Sequence, residues 1–245
     1  MDLGKRIIVG VKGTKGSGKD TIASMIHYIM AVGTTSANMD GWEIYNKTKK
    51  DELDVPTIHF ADKIKDGLSL AFNINRECFD DSKYKDEMYY HFRTGAFITK
   101  IDCTVPIEEI TIDKLSINTL AELRLQNHND CIIKLRTLMQ YYGTEVMRNH
   151  IGTDIWVRST INKAIQFKNY YGYAVIGDVR YDNEAKAIYD IGGKIIYVNR
   201  FGNNTVKEHT SEIINTDMKD TVIINNGTKL GLFYKVLEFV KKEMM

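Results

Sequence analysis

Residues 6–21 read RIIVGVKGTKGSGKDT and join three patterns of different periodicity. Arg6 to Gly10 is rich in β-branched residues, and a glycine-dense turn follows it. Beyond the turn, apolar side chains recur at helical spacing, namely Ile22, Met25, Ile26, Ile29 and Met30. The stretch therefore predicts a buried strand, a glycine-rich loop and a helix, in that order.

The loop between this strand and this helix has the G-x-x-x-x-G-K spacing of a phosphate-binding loop, from Gly13 to Lys19. Glycine is needed because several positions of such a loop take a positive φ and because a Cβ would block close approach of a phosphate. Lys19 would reach the β- and γ-phosphates of a nucleoside triphosphate, and the helix dipole would add to its charge. The residues predicted to bind the triphosphate are Gly13, Lys15, Gly16, Ser17, Gly18, Lys19, Asp20 and Thr21.

The residue after Lys19 departs from the strict pattern of these loops. A Ser or Thr is expected there as a Mg²⁺ ligand, whereas this chain has Asp20 followed by Thr21. Either Asp20 serves the Mg²⁺ shell as a carboxylate or Thr21 substitutes for the missing hydroxyl, and both alternatives stay open. A dinucleotide-binding loop is excluded, because Gly16-x-Gly18 lacks the third glycine of that pattern.

Strand-like and helix-like segments alternate over most of the remaining chain. Strands are predicted at 57–60, 173–177, 194–198 and 221–224, and helices at 61–72, 132–148, 154–167, 183–191 and the carboxyl end. Together with the first strand, this alternation predicts an α/β fold, a mainly parallel five-stranded sheet with helices on both faces. Residues 1–245 are expected to form one domain, with a helical insertion at 73–131 and a mobile loop at 200–220.

Composition and charge exclude several classes of protein. The 245 residues include 33 Lys and Arg against 32 Asp and Glu, and this net charge of +1 argues against a large nucleic-acid-binding field. Cys78, Cys103 and Cys131 form neither a C-x-x-C motif nor a disulfide framework, which favours a reducing compartment. The apolar run near the amino end is too short for a signal peptide or a membrane span. The sequence therefore predicts a cytoplasmic protein without membrane or nucleic-acid partners.

A second group of cations is expected, because a kinase of a small phosphorylated substrate must hold two anionic groups in line. Lys65 and Arg136 are candidates, although each is also typical of a solvated helix face. Asp178 ends a predicted buried strand, where ligands gather in open α/β sheets. An ionised carboxylate there favours a partner such as Arg180 or a metal-bound water, and the alternative is a helix cap.

Several strings of the chain occur together in bacteriophage deoxynucleoside monophosphate kinases, which are P-loop kinases, and the chain resembles that family nearly end to end. Its phosphate loop shares the form Gly18-Lys19-Asp20-Thr21. The other matching strings are FADKIKD at 60–66, LMQYYGTE at 138–145 followed by Trp156, DVR at 178–180 through Asn183-Glu184, HTSE at 209–212 and INNGT at 224–228.

The resemblance implies a P-loop NTPase fold of the nucleoside monophosphate kinase type. It also implies transfer of the ATP γ-phosphate to a deoxynucleoside 5′-monophosphate, with ATP and Mg²⁺ as cofactors and nucleotides as partners. Catalytic roles are implied for Lys19, Arg136, Arg180 and Asp178, with Arg200 as a further candidate. The implied monophosphate-binding residues are Ile64, Lys65, Lys85, Arg136, Gly143, Thr144, Trp156, Asp178, Arg180 and Glu184, with Trp156 beside the base.

Location, assembly and two other function classes complete the expectations. A phage-encoded kinase would act in the host cytoplasm, and a homodimer is left open. One alternative is another small-molecule P-loop kinase with a phosphomevalonate-like acceptor. The other is a regulatory module that binds a nucleotide without transferring its phosphate.

Overall fold

The structure is a computed structural model that describes residues 7–48, 55–87, 89–91, 96–98, 132–200 and 221–245. The chain forms two compact units. The first comprises residues 1–60 and 157–245, and the second comprises residues 61–156.

The secondary structure elements are numbered along the chain. The strands are β1 (Ile7–Gly13), β2 (Tyr89–His91), β3 (Ala96–Ile98), β4 (Ile132–Lys134), β5 (Tyr173–Val179), β6 (Lys194–Asn199) and β7 (Thr221–Ile224). The α-helices are α1 (Lys19–Val32), α2 (Met39–Thr48), α3 (Asp62–Phe72), α4 (Ser82–Glu87), α5 (Leu135–Gln140), α6 (Ile155–Tyr171), α7 (Asp182–Asp190) and α8 (Lys229–Glu243). A short 3-10 helix spans Arg76–Phe79, and a π-helical segment spans Tyr141–Arg148.

The first unit is a parallel sheet of order β5-β1-β6-β7 that is covered on both faces. Alternate residues of the central strand enter two different cores, with Val9 on the side of α1 and α8 and Ile8 on the side of α6 and α7. This burial on both faces is why β1 has an almost continuous apolar run instead of alternating polarity. The mainly parallel sheet with helices on both faces is confirmed.

The number of strands differs from the prediction. The sheet in the described residues has four strands rather than five, because segment 57–60 makes only one parallel bridge, between Ile58 and Ile176. Its ladder stops at Phe60, whose backbone N–H donates to the Asp178 side chain at 3.1 Å instead of to a neighbouring strand. The fifth segment therefore lies beside β5 as predicted but is too short to form a full strand.

The second unit contains an antiparallel sheet of order β3-β2-β4. The predicted helical insertion is therefore wrong in part, as is the predicted helix at 132–148. Residues 132–134 form a strand, and the helix that follows changes to π-helical geometry at Tyr141. The core of this unit includes Leu68, Phe79 and Leu135.

Several predicted boundaries keep the status of predictions. The second unit begins and ends outside the predicted insertion at 73–131, and residues 99–131 lie outside the described part of the chain. The same holds for residues 201–220 of the predicted mobile loop. Helix α2 was not predicted, because Trp42 is its one buried residue and gives no periodic apolar pattern. None of the helices in the described ranges is both long and apolar enough to span a membrane.

Candidate active site

The loop after β1 takes its shape from its glycines. Gly16 has a φ of 78° and Gly18 a φ of 101°, both in the left-handed region that favours glycine. Gly13 is required for a different reason, because a Cβ there would lie 2.6 Å from the Val198 carbonyl oxygen and 2.7 Å from the Ser17 hydroxyl. The predicted phosphate loop therefore has glycine at two positions with a positive φ and at one position where a Cβ would meet neighbouring atoms.

Lys19 folds back over the loop that precedes it. Its ammonium donates to the carbonyl oxygens of Gly13 at 2.7 Å and Thr14 at 2.8 Å. The charge is thus held against the loop backbone at the start of α1, where the dipole of the helix is also positive. This is the arrangement of charge and backbone that binds a phosphate.

The first turn of α1 supplies hard oxygen donors. Gly18 is the N-cap and has no side chain to satisfy the first N–H groups of the helix. Asp20 is exposed in this turn, and the Thr21 side chain is half-buried. A carboxylate and a hydroxyl are ligands that Mg²⁺ accepts, and Mg²⁺ is usually held by one or two protein groups together with substrate phosphates. The donor set therefore fits Mg²⁺ without a larger ligand cluster.

Residues that follow β6 and β7 also contact the loop. The side-chain amide of Asn225 donates to the Ser17 carbonyl oxygen at 2.8 Å, and the Arg200 guanidinium lies 3.4 Å from the Gly16 carbonyl oxygen. The Ser17 hydroxyl is fully buried and has no hydrogen-bond partner in the described part of the chain. Lys15 is exposed beside it.

Three predicted residues lie at or just after β5: Asp178 is at the carboxyl end of the strand, Arg180 directly follows it, and Glu184 lies in the first turn of α7. Asp178 is half-buried and accepts the Phe60 N–H, and the Arg180 side chain is exposed. Glu184 is 2% exposed, and its carboxylate accepts the backbone N–H groups of Arg180 at 2.8 Å and Tyr181 at 3.1 Å. Glu184 therefore fixes the turn between β5 and α7, and its predicted contact with the nucleotide stays a prediction.

In the second unit, three predicted cations lie close to one another. Partial burial lowers the pKa of the Lys85 ammonium, and the positive charges of Lys65 and Arg136 lower it further. Lys65 contacts the Asp80 carboxylate at 2.8 Å, and Lys85 donates to the backbone carbonyl oxygen of the same residue at 3.1 Å. The residues Lys65, Lys85 and Arg136 are called the cation cluster below.

Carboxylates neutralise the cation cluster and its surroundings. Arg136 donates to both oxygens of Asp86, at 2.5 and 2.8 Å, and this bidentate hydrogen bonding lowers the pKa of the Asp86 carboxyl below its ordinary value of 3.8. Burial alone would raise the pKa of Asp80, but hydrogen bonds from Arg76 and Lys65 outweigh it and lower the pKa below 3.8. Lys65 and Arg136 are therefore each held in place by a carboxylate, and Lys85 is held by a backbone carbonyl oxygen.

The π-helical segment brings Gly143 against α3. A Cβ at Gly143 would lie 2.8 Å from Cδ1 of Ile64, and Gly143 accepts a 2.8 Å hydrogen bond from the Trp156 indole. Trp156 is 5% exposed and packs beside Tyr142, with ring centroids 6.0 Å apart. Trp156 thus packs in the second unit, so its place beside a base stays a prediction. Thr144, the last residue of the predicted group, is exposed.

One residue of the first unit was not assigned a role from the sequence. Asn225 was noted only as part of a matching string, and its contact with the loop depends on the sheet order, which places β7 next to β6. The available signal was an amide side chain directly after a predicted strand, at the edge of the sheet where ligands bind.

Comparisons with known proteins cover nearly the whole chain. A family model described as deoxynucleotide monophosphate kinase matches residues 6–236. The chain is 26% identical over 269 residues to the deoxynucleotide monophosphate kinase of Escherichia phage RB69, covering 96% of this chain and 99% of that protein. It is 24% identical over 261 residues to the enzyme of that name from Enterobacteria phage T4, covering 96% and 98%.

Among solved structures, a dephospho-CoA kinase from Campylobacter jejuni covers 97% of this chain, and 96% of its own chain is matched. Its sequence identity is 13% and its TM-score is 0.41, which is too low to support any conclusion.

Proposed function

The chain belongs to the deoxynucleotide monophosphate kinase family, and from this we propose how it transfers the γ-phosphate of ATP to a deoxynucleoside 5′-monophosphate. The product is a deoxynucleoside diphosphate for DNA synthesis. The observation that carries the proposal is the loop Gly13–Thr21, in which Lys19 is held against two loop carbonyl oxygens at the start of α1. The family match includes this loop.

In this proposal the triphosphate of ATP lies on the loop of the first unit. The backbone N–H groups of the loop and the N-terminus of α1 bind its phosphates, and Lys19 exchanges its carbonyl partners for phosphate oxygens. Mg²⁺, when bound, neutralises phosphate charge during the transfer. Asp20 and Thr21 are the residues that would hold it.

The acceptor phosphate is assigned to the cation cluster. A phosphate monoester has a second pKa of about 6, so at neutral pH it is mostly a dianion and needs no general base. The task of Arg136 and its neighbours is therefore to hold the acceptor and neutralise its charge. Support comes from their proximity and from the carboxylates paired with Lys65 and Arg136, which a phosphate could replace. In the second unit, Ile64, Gly143, Thr144 and Trp156 are also proposed to contact the monophosphate. In the first unit, Asp178 and Arg180 are proposed to contact a nucleotide.

The test is an ADP-release assay with ATP, Mg²⁺ and separate acceptors. We expect release that depends on a deoxynucleoside monophosphate, and measuring all four bases would establish which are accepted. Phosphomevalonate is the comparison acceptor, and turnover with it alone would contradict the proposal. ATP binding without acceptor-dependent ADP release would also contradict it, since that is the behaviour of a regulatory module.

A further inference from the structure

Asn225 connects the end of one strand to the phosphate loop. It directly follows β7, and its backbone N–H donates at 2.8 Å to the carbonyl oxygen of Asn199 at the end of β6. Its side-chain amide donates at 2.8 Å to the carbonyl oxygen of Ser17. The side chain is thereby anchored at its base and bonded at its tip.

This bond fixes the orientation of one peptide group of the loop. The peptide between Ser17 and Gly18 is trans, so its C=O and N–H point in opposite directions. Because the C=O is directed to Asn225, the Gly18 N–H is directed away from it. That N–H makes no hydrogen bond in the described part of the chain, and it lies at the N-terminus of α1, where an anion is favoured.

Gly18 and Asn225 fit each other sterically. A Cβ on Gly18 would lie 2.5 Å from the amide nitrogen of Asn225, so the amide occupies the space that a side chain would need. The φ of 101° at Gly18 is also unfavourable for other residues. The glycine therefore serves the contact with Asn225 as well as the turn of the loop.

We propose that Asn225 is a positioning residue of the phosphate loop, which holds the Ser17 carbonyl outward and so presents the Gly18 N–H to the triphosphate. This role rests on the proposed function, since it assumes that ATP is the ligand of the loop. Asn225 touches no substrate in this proposal and acts only through the Ser17–Gly18 peptide.

The test compares Asn225→Ala and Asn225→Asp with Lys235→Ala. Lys235 donates at 2.7 Å to the Ile224 carbonyl oxygen, so its variant removes a side-chain bond to the neighbouring backbone group without touching the loop. The probes are ATP and inorganic tripolyphosphate, which presents the phosphates of ATP without its base and sugar, and their binding is measured by calorimetry. Thermal unfolding of each variant is followed in parallel.

For Asn225→Ala we expect binding of both probes to weaken about tenfold, the effect of one hydrogen bond to a charged group, while the KM of the monophosphate stays unchanged. Asn225→Asp keeps the shape but places a carboxylate against the Ser17 carbonyl and near the phosphates, so its loss is expected to be larger. Lys235→Ala is expected to bind both probes like the wild type.

Tripolyphosphate affinity within twofold of wild type in a folded Asn225→Ala protein would overturn the proposal. An equal loss in Lys235→Ala would overturn it too, because the effect would then be structural. If no deoxynucleoside monophosphate is phosphorylated but Asn225→Ala still loses tripolyphosphate affinity, the proposed function fails while the role of Asn225 stands.

Discussion

The phosphate loop of the first unit and the cation cluster of the second both concentrate positive charge, but they do so in different ways. The loop relies on backbone N–H groups, glycines and a helix terminus. Its cation Lys19 is half-buried and is held by two backbone carbonyl oxygens. The cluster relies on long side chains, two of which, Lys65 and Arg136, are held by carboxylates. A site made of backbone is preformed, whereas a site made of paired side chains must exchange partners when a ligand binds.

The largest effect is expected at the backbone-made site. Lys19→Ala removes the cation from the loop, and we expect the turnover number to fall about 10²- to 10³-fold, the usual cost of removing one group that stabilises developing charge. The fold is expected to be retained, because the Lys19 ammonium donates to carbonyl oxygens of its own loop. Steady-state kinetics and circular dichroism check both points, with the surface variant Lys186→Ala as control. Wild-type turnover in Lys19→Ala would contradict the assignment of this loop as the binding site of the triphosphate.

A smaller and more selective effect is expected in the cation cluster. Arg136→Ala is expected to raise the KM of the monophosphate about 10- to 100-fold with the KM of ATP changed less than about twofold, because a bidentate charged hydrogen bond is lost. Arg136→Lys should restore only part of the loss, since a lysine cannot bond in a bidentate manner. If the KM of ATP rises and that of the monophosphate does not, Arg136 is assigned to the wrong substrate.

The packing behind the cluster offers a test of stability. Gly143→Ala places a Cβ 2.8 Å from Cδ1 of Ile64, and we expect a loss of about 1 kcal/mol in the free energy of unfolding. Ile64→Val removes the atom that is met, so the double variant Ile64→Val/Gly143→Ala should recover most of that loss. Urea denaturation of the four proteins in this cycle gives the coupling directly, and additive effects would contradict the contact.

The smallest effect is expected from acid. Burial raises the pKa of Asp66 and Asp80, but hydrogen bonds to Arg76 outweigh it, so both pKa values lie below 3.8 in the folded protein. Such groups stabilise the fold above their ordinary pKa, and that stabilisation is lost as the pH falls through the lowered folded value. We expect the urea concentration at the unfolding midpoint to decrease when the pH is lowered below about 4. The decrease is expected to be smaller in Arg76→Met. Identical pH profiles for the two proteins would contradict a contribution from these pairs.

The same contrast explains how much could be predicted from the sequence. The loop lies between a strand and a helix, and these two elements have different apolar periodicities. Because glycines at the G-x-x-x-x-G-K spacing in this position are typical of a phosphate-binding loop, Gly13 to Thr21 could be assigned from the sequence. The antiparallel sheet of the second unit could not, because its strands have three residues each and show no alternation. Contacts such as that of Asn225 with Ser17 depend on strand order, which periodicity does not encode.

The role of Glu184 as a helix cap could have been predicted from a local sequence pattern. Its carboxylate accepts the N–H groups of Arg180 and Tyr181, and an acidic residue three positions after the N-cap of a helix is typical of this contact. The contact of Glu184 with the nucleotide, which the family resemblance implies, stays a prediction. The same holds for Trp156, whose buried indole bonds to a carbonyl oxygen of its own unit.

The π-helical geometry of Tyr141–Arg148 makes the length of this segment a structural requirement. A π-helix holds more residues per turn than an α-helix, and such geometry is frequent at functional sites. Deleting one residue would let the segment rewind as an α-helix, which would change the position of the Gly143 carbonyl oxygen relative to the residues that follow. The disruption would then be felt at the Trp156 indole, thirteen residues beyond the glycine to which it bonds, so this family member should tolerate substitutions here far better than changes in length.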